Sequence, residues 1–206
     1  MATLAPRRSA LLTLLATVLA LAALVAGLDT QTARAATPGV PLVAAGAAAA
    51  QIDPYARYEP QTACTVVVRK GTRAFVDQLK ARYGGRIIGI TRPCNQGGQS
   101  EHKESRAVDW AIDARNAQQR QQFYRFFNEV TATVNGHTDA RARMQGIMYF
   151  IWNDRIWAAW NGFEPRPYLH ASCSSVEKCS PTLRHVDHVH ISLSWDGANG
   201  LTGWYR

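Results

Sequence analysis

Two short stretches of the chain concentrate residue types that bind metals and transfer protons. Residues 100–109 read SEHKESRAVD and residues 185–190 read HVDHVH, and together they hold four of the six histidines. Two imidazoles and one carboxylate can hold a zinc ion and leave its fourth tetrahedral position to water, as in a catalytic site. On spacing alone, a nonspecific metal-binding surface or a pH-responsive polar network stays open. Glu101 and Glu104 are interpreted as solvated loop charges.

The candidate ligands are His102, Asp109 and one histidine of the second stretch. On a regular strand His188 and His190 would face one side and Asp187 the other, because side chains alternate. A site that uses Asp187 together with His190 therefore needs a twist, bulge or turn near Asp187. Histidines within an otherwise apolar strand need polar partners if they are buried, and a metal ion supplies such a partner.

The first stretch resembles the S-x-H-x-x-G-x-A-x-D motif of the zinc D-alanyl-D-alanine carboxypeptidases. Relatives of that family include D,D-dipeptidases, phage endolysin peptidases and the hedgehog signalling fold. Ser105 stands where the family has glycine. Residues 187–190 (DHVH) are similar to the family's later motif, an acidic residue three positions before a histidine. The same blocks resemble an uncharacterised group of secreted actinobacterial domains. The fixed positions that match are Ser100, His102, Ala107 and Asp109.

The resemblance implies a role for each of these residues. His102, Asp109 and His190 would bind Zn²⁺, and Asp187 would be the general base for attack of zinc-bound water on a peptide carbonyl. His188 is the alternative third ligand, or it hydrogen-bonds to the substrate. The groups that would contact the substrate are Ser100, Arg92 and His188.

The function implied is a secreted zinc peptidase that cuts peptide stems of bacterial peptidoglycan, as a D,D- or L,D-type carboxypeptidase or endopeptidase. One alternative is a non-catalytic wall-binding or signalling module that keeps the fold. Another is a glycan hydrolase that uses Asp109 and Asp187 as paired carboxylates without a metal.

The chain divides into three parts. Residues 1–35 have an arginine pair, an apolar run and an Ala-x-Ala cleavage pattern, which predict an export signal. The alternative is a retained membrane anchor. Residues 36–60 are rich in Ala, Gly and Pro and predict a linker. Residues 61–206 would be the catalytic domain, which we expect to be monomeric and not stably inserted in the membrane once the signal is removed.

The charge of the chain favours anionic partners such as cell-wall polymers. The 206 residues include 23 basic and 15 acidic groups, and removal of the signal leaves 20 and 14. The basic residues are scattered, and no zinc-finger or RNP signature is present, so we expect no nucleic-acid binding.

All four cysteines follow the predicted signal, and an even number in an exported chain predicts disulfides. Three pairings are possible. We favour Cys64 with Cys94 and Cys173 with Cys179, because the second pair is close together in a Ser-rich loop. A four-cysteine zinc site would need close C-x-x-C pairs, which are absent.

Apolar patterns predict helices and short strands in irregular order. This order favours an α+β fold with a small, largely antiparallel sheet and flanking helices, which the resemblance makes D,D-peptidase/hedgehog-like. The predicted helices are 72–83 and 115–134, and the predicted strands are 64–68, 86–91, 107–112, 146–152, 155–160 and 186–195.

Overall fold

The apolar runs of the sequence form one antiparallel sheet with helices packed on it, in a computed structural model that describes residues 52–206. The strands are β1 Ile87–Gly89, β2 Ala107–Trp110, β3 Ile147–Trp152, β4 Arg155–Ala158, β5 Pro165–Pro167 and β6 Val189–Leu193. Their order across the sheet is β1-β2-β6-β3-β4-β5. The helices are α1 Lys70–Tyr83, α2 Ala117–Val130, α3 Ala140–Met144 and α4 Trp195–Asn199. The α+β class and the antiparallel sheet are confirmed.

Strand β6 lies between β2 and β3 and defines two faces of the sheet. Val189 and Ile191 are fully buried and pack with Val108 of β2 in the main core. Because side chains alternate along a strand, Asp109 and His190 project from the opposite face. The sheet therefore has an apolar face toward the helices and a polar face that can carry a site.

Helices α1 and α2 cover the apolar face because each has an apolar stripe at helical spacing. In α1, Phe75 and Leu79 are 1% exposed, and in α2 Phe123 is fully buried. Asn116 caps α2, since its side chain accepts hydrogen bonds from the first backbone N–H groups of the helix. Burial of each large apolar side chain contributes about 1.5–3 kcal/mol, so this layer holds the polar face in place.

Some predicted elements need correction. Residues 64–68 do not form a strand: Val66 and Val67 are 55% and 72% exposed, and the segment is held by a disulfide at Cys64 and one backbone hydrogen bond from Thr65. Residues 186–188 form a bend, so the last strand begins at Val189. The short elements α3, α4 and β5 were not predicted.

Residues just before the predicted domain boundary contact the domain. The Tyr55 hydroxyl donates a hydrogen bond to Asp139 at 2.6 Å, and a Glu59 carboxylate oxygen accepts one from the backbone N–H of Trp195 at 2.6 Å. The folded unit therefore includes residues that the sequence analysis assigned to the 36–60 linker. The predicted signal, residues 1–35, lies outside the described residues. None of the helices within residues 52–206 has the length and apolar character needed to cross a membrane.

Two disulfides are present with the favoured pairing. Cys64 bonds to Cys94 and Cys173 bonds to Cys179, with Cα–Cα distances of 5.8 and 5.4 Å. The first bond ties the segment before α1 to the loop that follows β1. The second closes a surface loop between β5 and β6.

Candidate metal centre

Three side chains from the two motif stretches converge on one point. Nε2 of His102 lies 3.1 Å from Oδ1 of Asp109 and 3.2 Å from Nδ1 of His190, and that Nδ1 is 3.1 Å from the same Oδ1. In tetrahedral zinc sites with bonds of about 2.0–2.1 Å, ligand atoms are about 3.3–3.4 Å apart. The observed triangle therefore has nearly the size that one such ion requires, and the three residues could hold a metal ion.

The sheet register places two of the three side chains. Asp109 of β2 is directly opposite His190 of β6, so both project from the same face of the antiparallel pair. His102 comes from a 3-10 helix, Glu101–Glu104, in the loop before β2. Ser100 caps this helix, because its hydroxyl oxygen accepts a hydrogen bond from the His102 N–H at 3.4 Å.

The outer nitrogen of each imidazole is anchored. His102 Nδ1 lies 3.2 Å from the backbone oxygen of Ile90, which can only accept, so Nδ1 carries the proton in this hydrogen bond. His190 Nε2 lies 2.9 Å from the Ser192 hydroxyl. Outer hydrogen bonds of this kind fix the ring orientation and tautomer of metal-binding histidines. They leave His102 Nε2 and His190 Nδ1 as the atoms that face the cluster.

The surroundings of the cluster favour the protonation states that bind metals. Burial alone would raise the pKa of Asp109, but the adjacent His102 and His190 imidazoles hold it well below its ordinary value. Burial lowers the pKa of His190 although the charge of Asp109 opposes this. Asp109 is therefore an anion and His190 a neutral base at neutral pH, which are the forms that coordinate a metal.

An open cavity of about 350 Å³ lies over the cluster. His102 is 2% exposed and lies beneath its wall. The structure thus brings all the residues of the predicted active site together. Those that line the cavity are Arg92, Ser100, Asp109, Asp187, His188 and His190.

Asp187 and His188 lie at the edge of the cluster, in the bend before β6. Asp187 Oδ1 is 2.7 Å from His188 Nδ1, and its Oδ2 accepts a hydrogen bond from the Thr182 hydroxyl at 2.7 Å. His188 Nε2 is 3.7 Å from Asp109 Oδ1. The bend supplies the turn that the sequence analysis required near Asp187. It is His190, not His188, that completes the triangle with His102 and Asp109.

His185 belongs to the site but received no role from the sequence. It lines the cavity and is 8% exposed, and its backbone has a φ of 52°. Its buried Nδ1 has no hydrogen-bond partner among the described residues. Burial, followed by repulsion from His190 and His188, lowers its pKa to about 2. The sequence signal that could have indicated a role for His185 was the presence of three histidines within residues 185–190.

Ser105, which replaces the glycine of the motif, adopts the backbone conformation that glycine favours. Its φ and ψ are 55° and 35°, in the left-handed region. Its hydroxyl donates a hydrogen bond to the backbone oxygen of Thr65 at 3.1 Å, and its own backbone oxygen accepts one from the Thr72 hydroxyl at 2.7 Å. The substitution therefore leaves the loop that carries His102 in a left-handed turn.

Glu101 and Glu104 are buried, so their interpretation as solvated loop charges is wrong. Glu104 is fully buried and pairs with Arg106, whose Nη2 lies 2.6 Å from its Oε2. Glu101 is 5% exposed and accepts a hydrogen bond from the Tyr149 hydroxyl at 2.7 Å. Tyr149 is 48 positions from Glu101, so no local pattern indicates the burial of Glu101. Arg106 is only two positions from Glu104, and this neighbouring opposite charge was the available signal for the buried pair.

Comparison with known proteins gives one family. The sequence model described as "VldE, C-terminal domain" matches residues 64–174, slightly more than half of the chain. The matched region includes His102 and Asp109 and ends before Asp187 and His190. No curated protein and no solved structure matches the chain significantly.

Proposed function

The chain belongs to the VldE C-terminal domain family, and we propose that it is a secreted zinc-dependent peptidase that hydrolyses peptide stems of bacterial peptidoglycan. The activity would be that of a D,D- or L,D-type carboxypeptidase or endopeptidase. The observation that carries the proposal is the His102–Asp109–His190 triangle beside an open cavity. Two disulfides are compatible with an extracellular protein. The order of the two motifs supports a D,D-peptidase/hedgehog-like arrangement of the fold.

The donor set fits zinc better than a hard cation. Two imidazole nitrogens and one carboxylate oxygen are a common catalytic zinc set, whereas Ca²⁺ and Mg²⁺ prefer oxygen ligands. His102, Asp109 and His190 would hold the ion. When bound, zinc supplies Lewis acidity, which lowers the pKa of a bound water and polarises a carbonyl group.

Asp187 is the proton acceptor in this proposal. Burial alone would raise its pKa, but hydrogen bonds with His188 and Thr182 lower it, so the carboxylate is charged at neutral pH. Asp187 lines the cavity. It contacts one nitrogen of the His188 imidazole, and the other nitrogen of that ring faces Asp109. Asp187 would accept a proton from the attacking water while it fixes the orientation of His188.

Arg92 and Ser100 are the proposed contacts for a substrate carboxylate. Both line the cavity. The guanidinium group of Arg92 offers paired donors that match a carboxylate. The Ser100 oxygen accepts the capping hydrogen bond from His102, so its hydroxyl proton stays available to a ligand. The excess of basic groups that remains after removal of the predicted signal, 20 basic against 14 acidic, also favours association with an anionic cell wall.

The test combines metal analysis with digestion of purified muropeptides. We expect about one zinc per chain and loss of hydrolysis in chelator, with products identified by mass spectrometry. His190→Ala should lose the metal, whereas His137→Ala, outside the cavity, should keep it. Metal binding without hydrolysis would indicate a non-catalytic wall-binding or signalling module. Full hydrolysis in chelator would exclude the metal mechanism, and cleavage of glycan strands would favour paired carboxylates.

A further inference from the structure

The cavity holds a buried acidic side chain that the proposed mechanism does not use. Glu101 lines the cavity and is 5% exposed, and it precedes the ligand His102 in the 3-10 helix. Within the described part of the chain, no basic side chain lies within 4.0 Å of its carboxylate. Glu104 of the same helix, in contrast, forms an ion pair with Arg106. Glu101 is therefore a buried carboxylate without a cationic partner.

The two oxygens of this carboxylate differ in their contacts. Oε2 accepts the hydrogen bond from Tyr149. Oε1 has no hydrogen-bond partner among the described residues, and it keeps some contact with solvent. Burial of an ionised carboxylate is costly unless a cation or several hydrogen-bond donors compensate it. A ligand that brings a positive charge would supply that compensation.

Tyr149 fixes Glu101 beside the metal cluster. Its ring stacks on the His190 imidazole, with centroids 5.7 Å apart and planes 21° apart, while its hydroxyl contacts Glu101. A group bound at Oε1 would thus lie in the same cavity as the reacting atoms.

We propose that Glu101 binds a primary ammonium group of the substrate, close to the bond that is cut. This inference rests on the proposed peptidase function, because it assigns a specificity contact to the same cavity. Peptide stems can present such a group in two ways, as a free α-amino end or as the side-chain amine of a diamino acid. Arg92, which also lines the cavity, would bind the opposite charge of the ligand.

The experiment compares three forms of one stem peptide: both amines free, the α-amine acetylated, and the side-chain amine acetylated. Binding to the full mature protein is measured by calorimetry with and without zinc, and cleavage is measured separately. Acetylation of the recognised amine should weaken binding about 10- to 100-fold, the range for a hydrogen bond between charged groups. The form that weakens binding identifies the amine.

The protein variants test the assignment to Glu101. Glu101→Gln keeps an acceptor for Tyr149 but removes the charge, and it should bind all three peptides alike. Glu164→Gln removes an exposed acidic charge and should discriminate as the wild type does. A wild type that ignores acetylation would overturn the inference, and this comparison requires no variant to fold. Discrimination retained in folded Glu101→Gln would also overturn it.

Failure of the proposed function would look different. If no peptide is cleaved but binding still depends on the free amine and on Glu101, the peptidase proposal falls and the ammonium site stands. If peptides are cleaved without regard to acetylation, the peptidase proposal stands and the ammonium site falls.

Discussion

The loop that carries His102 is braced by a fully buried ion pair. Arg106 donates to Oε2 of Glu104 through Nε and Nη2, at 2.9 and 2.6 Å, and both side chains are inaccessible to solvent. Arg106 Nη1 also donates to the backbone oxygen of Leu193, in β6. Glu104 Oε1 accepts hydrogen bonds from the backbone N–H groups of Thr62 and Ala63, each at 2.7 Å. The pair therefore joins three segments around the metal cluster.

Removal of one charge from this pair should be strongly destabilising. Glu104→Gln breaks the buried ion pair and leaves the Arg106 guanidinium with only the half-exposed Glu59 carboxylate, 4.0 Å from its Nη1, as a counter-charge. Breaking a buried pair by removing one partner costs about 3–5 kcal/mol. That is a large part of the roughly 5–15 kcal/mol by which domains are stable. The double variant Glu104→Gln/Arg106→Met also lacks the buried positive charge. Its loss in the free energy of unfolding should therefore be about 1–3 kcal/mol smaller than the summed losses of the two single variants.

Urea denaturation followed by circular dichroism measures these changes in the free energy of unfolding. The control is Asp113→Asn, which breaks a pair with Arg115 whose side chains are 32% and 63% exposed. Exposed pairs contribute about 0–1 kcal/mol. A Glu104→Gln loss as small as the Asp113→Asn loss, or additive effects in the double variant, would refute the reasoning.

Three further predictions concern the disulfides, the base and pH. Cys94→Ser and Cys179→Ser open loops with sequence separations of 30 and 6. On the chain-entropy model they should lose about 3.7 and about 2.2 kcal/mol in urea denaturation, and the reverse order would contradict this account. Asp187→Asn should bind zinc as the wild type does but lose about 100-fold or more in muropeptide turnover, so metal loss with full activity would disprove its role. Burial lowers the pKa of His185 to about 2 in the folded protein. Below about pH 6.5 the unfolded chain therefore binds a proton at His185 that the folded chain does not bind. In chelator, this group should lower the free energy of unfolding by about 2 kcal/mol between pH 7 and pH 5. Over the same range, urea denaturation of His185→Gln should show a correspondingly smaller decrease. Equal decreases for the wild type and the variant would exclude this cause.

The sheet could be predicted from sequence where a strand is buried over its length. Residues 147–152 are all buried, and their continuous apolar run matches the predicted strand. The β-branched run at 64–68 misled because no neighbouring strand is available to it, and Val67 is exposed. Asn153 and Asp154 connect the predicted strands 146–152 and 155–160, and both adopt the positive φ that a two-residue hairpin turn requires. The local sequence pattern therefore predicted a strand correctly only where the folded chain buries that segment between neighbouring strands.

The residues that converge at the candidate site could be predicted from the sequence, but their surroundings could not. The resemblance implied that Asp109 and His190 act together, but the pairing of β2 with β6 that places them on one face was not predicted. The burial of Glu101 depends on Tyr149, 48 positions away, and no pattern near Glu101 indicates that contact. The bend at Asp187 was required by the ligand geometry, but its hydrogen bond with Thr182 could not be inferred from sequence.

The hydrogen bonds around the triangle favour a metal ion over a polar network. Ile90 accepts the proton on His102 Nδ1, so Nε2 of a neutral His102 presents a lone pair to the cluster. Asp109 presents only acceptor oxygens. Among the three atoms, His190 Nδ1 alone could carry a proton in the neutral rings, and it would then have to serve two acceptors at 3.1 and 3.2 Å. A cation satisfies all three lone pairs at once, and Ser192 can then accept the remaining proton from His190 Nε2.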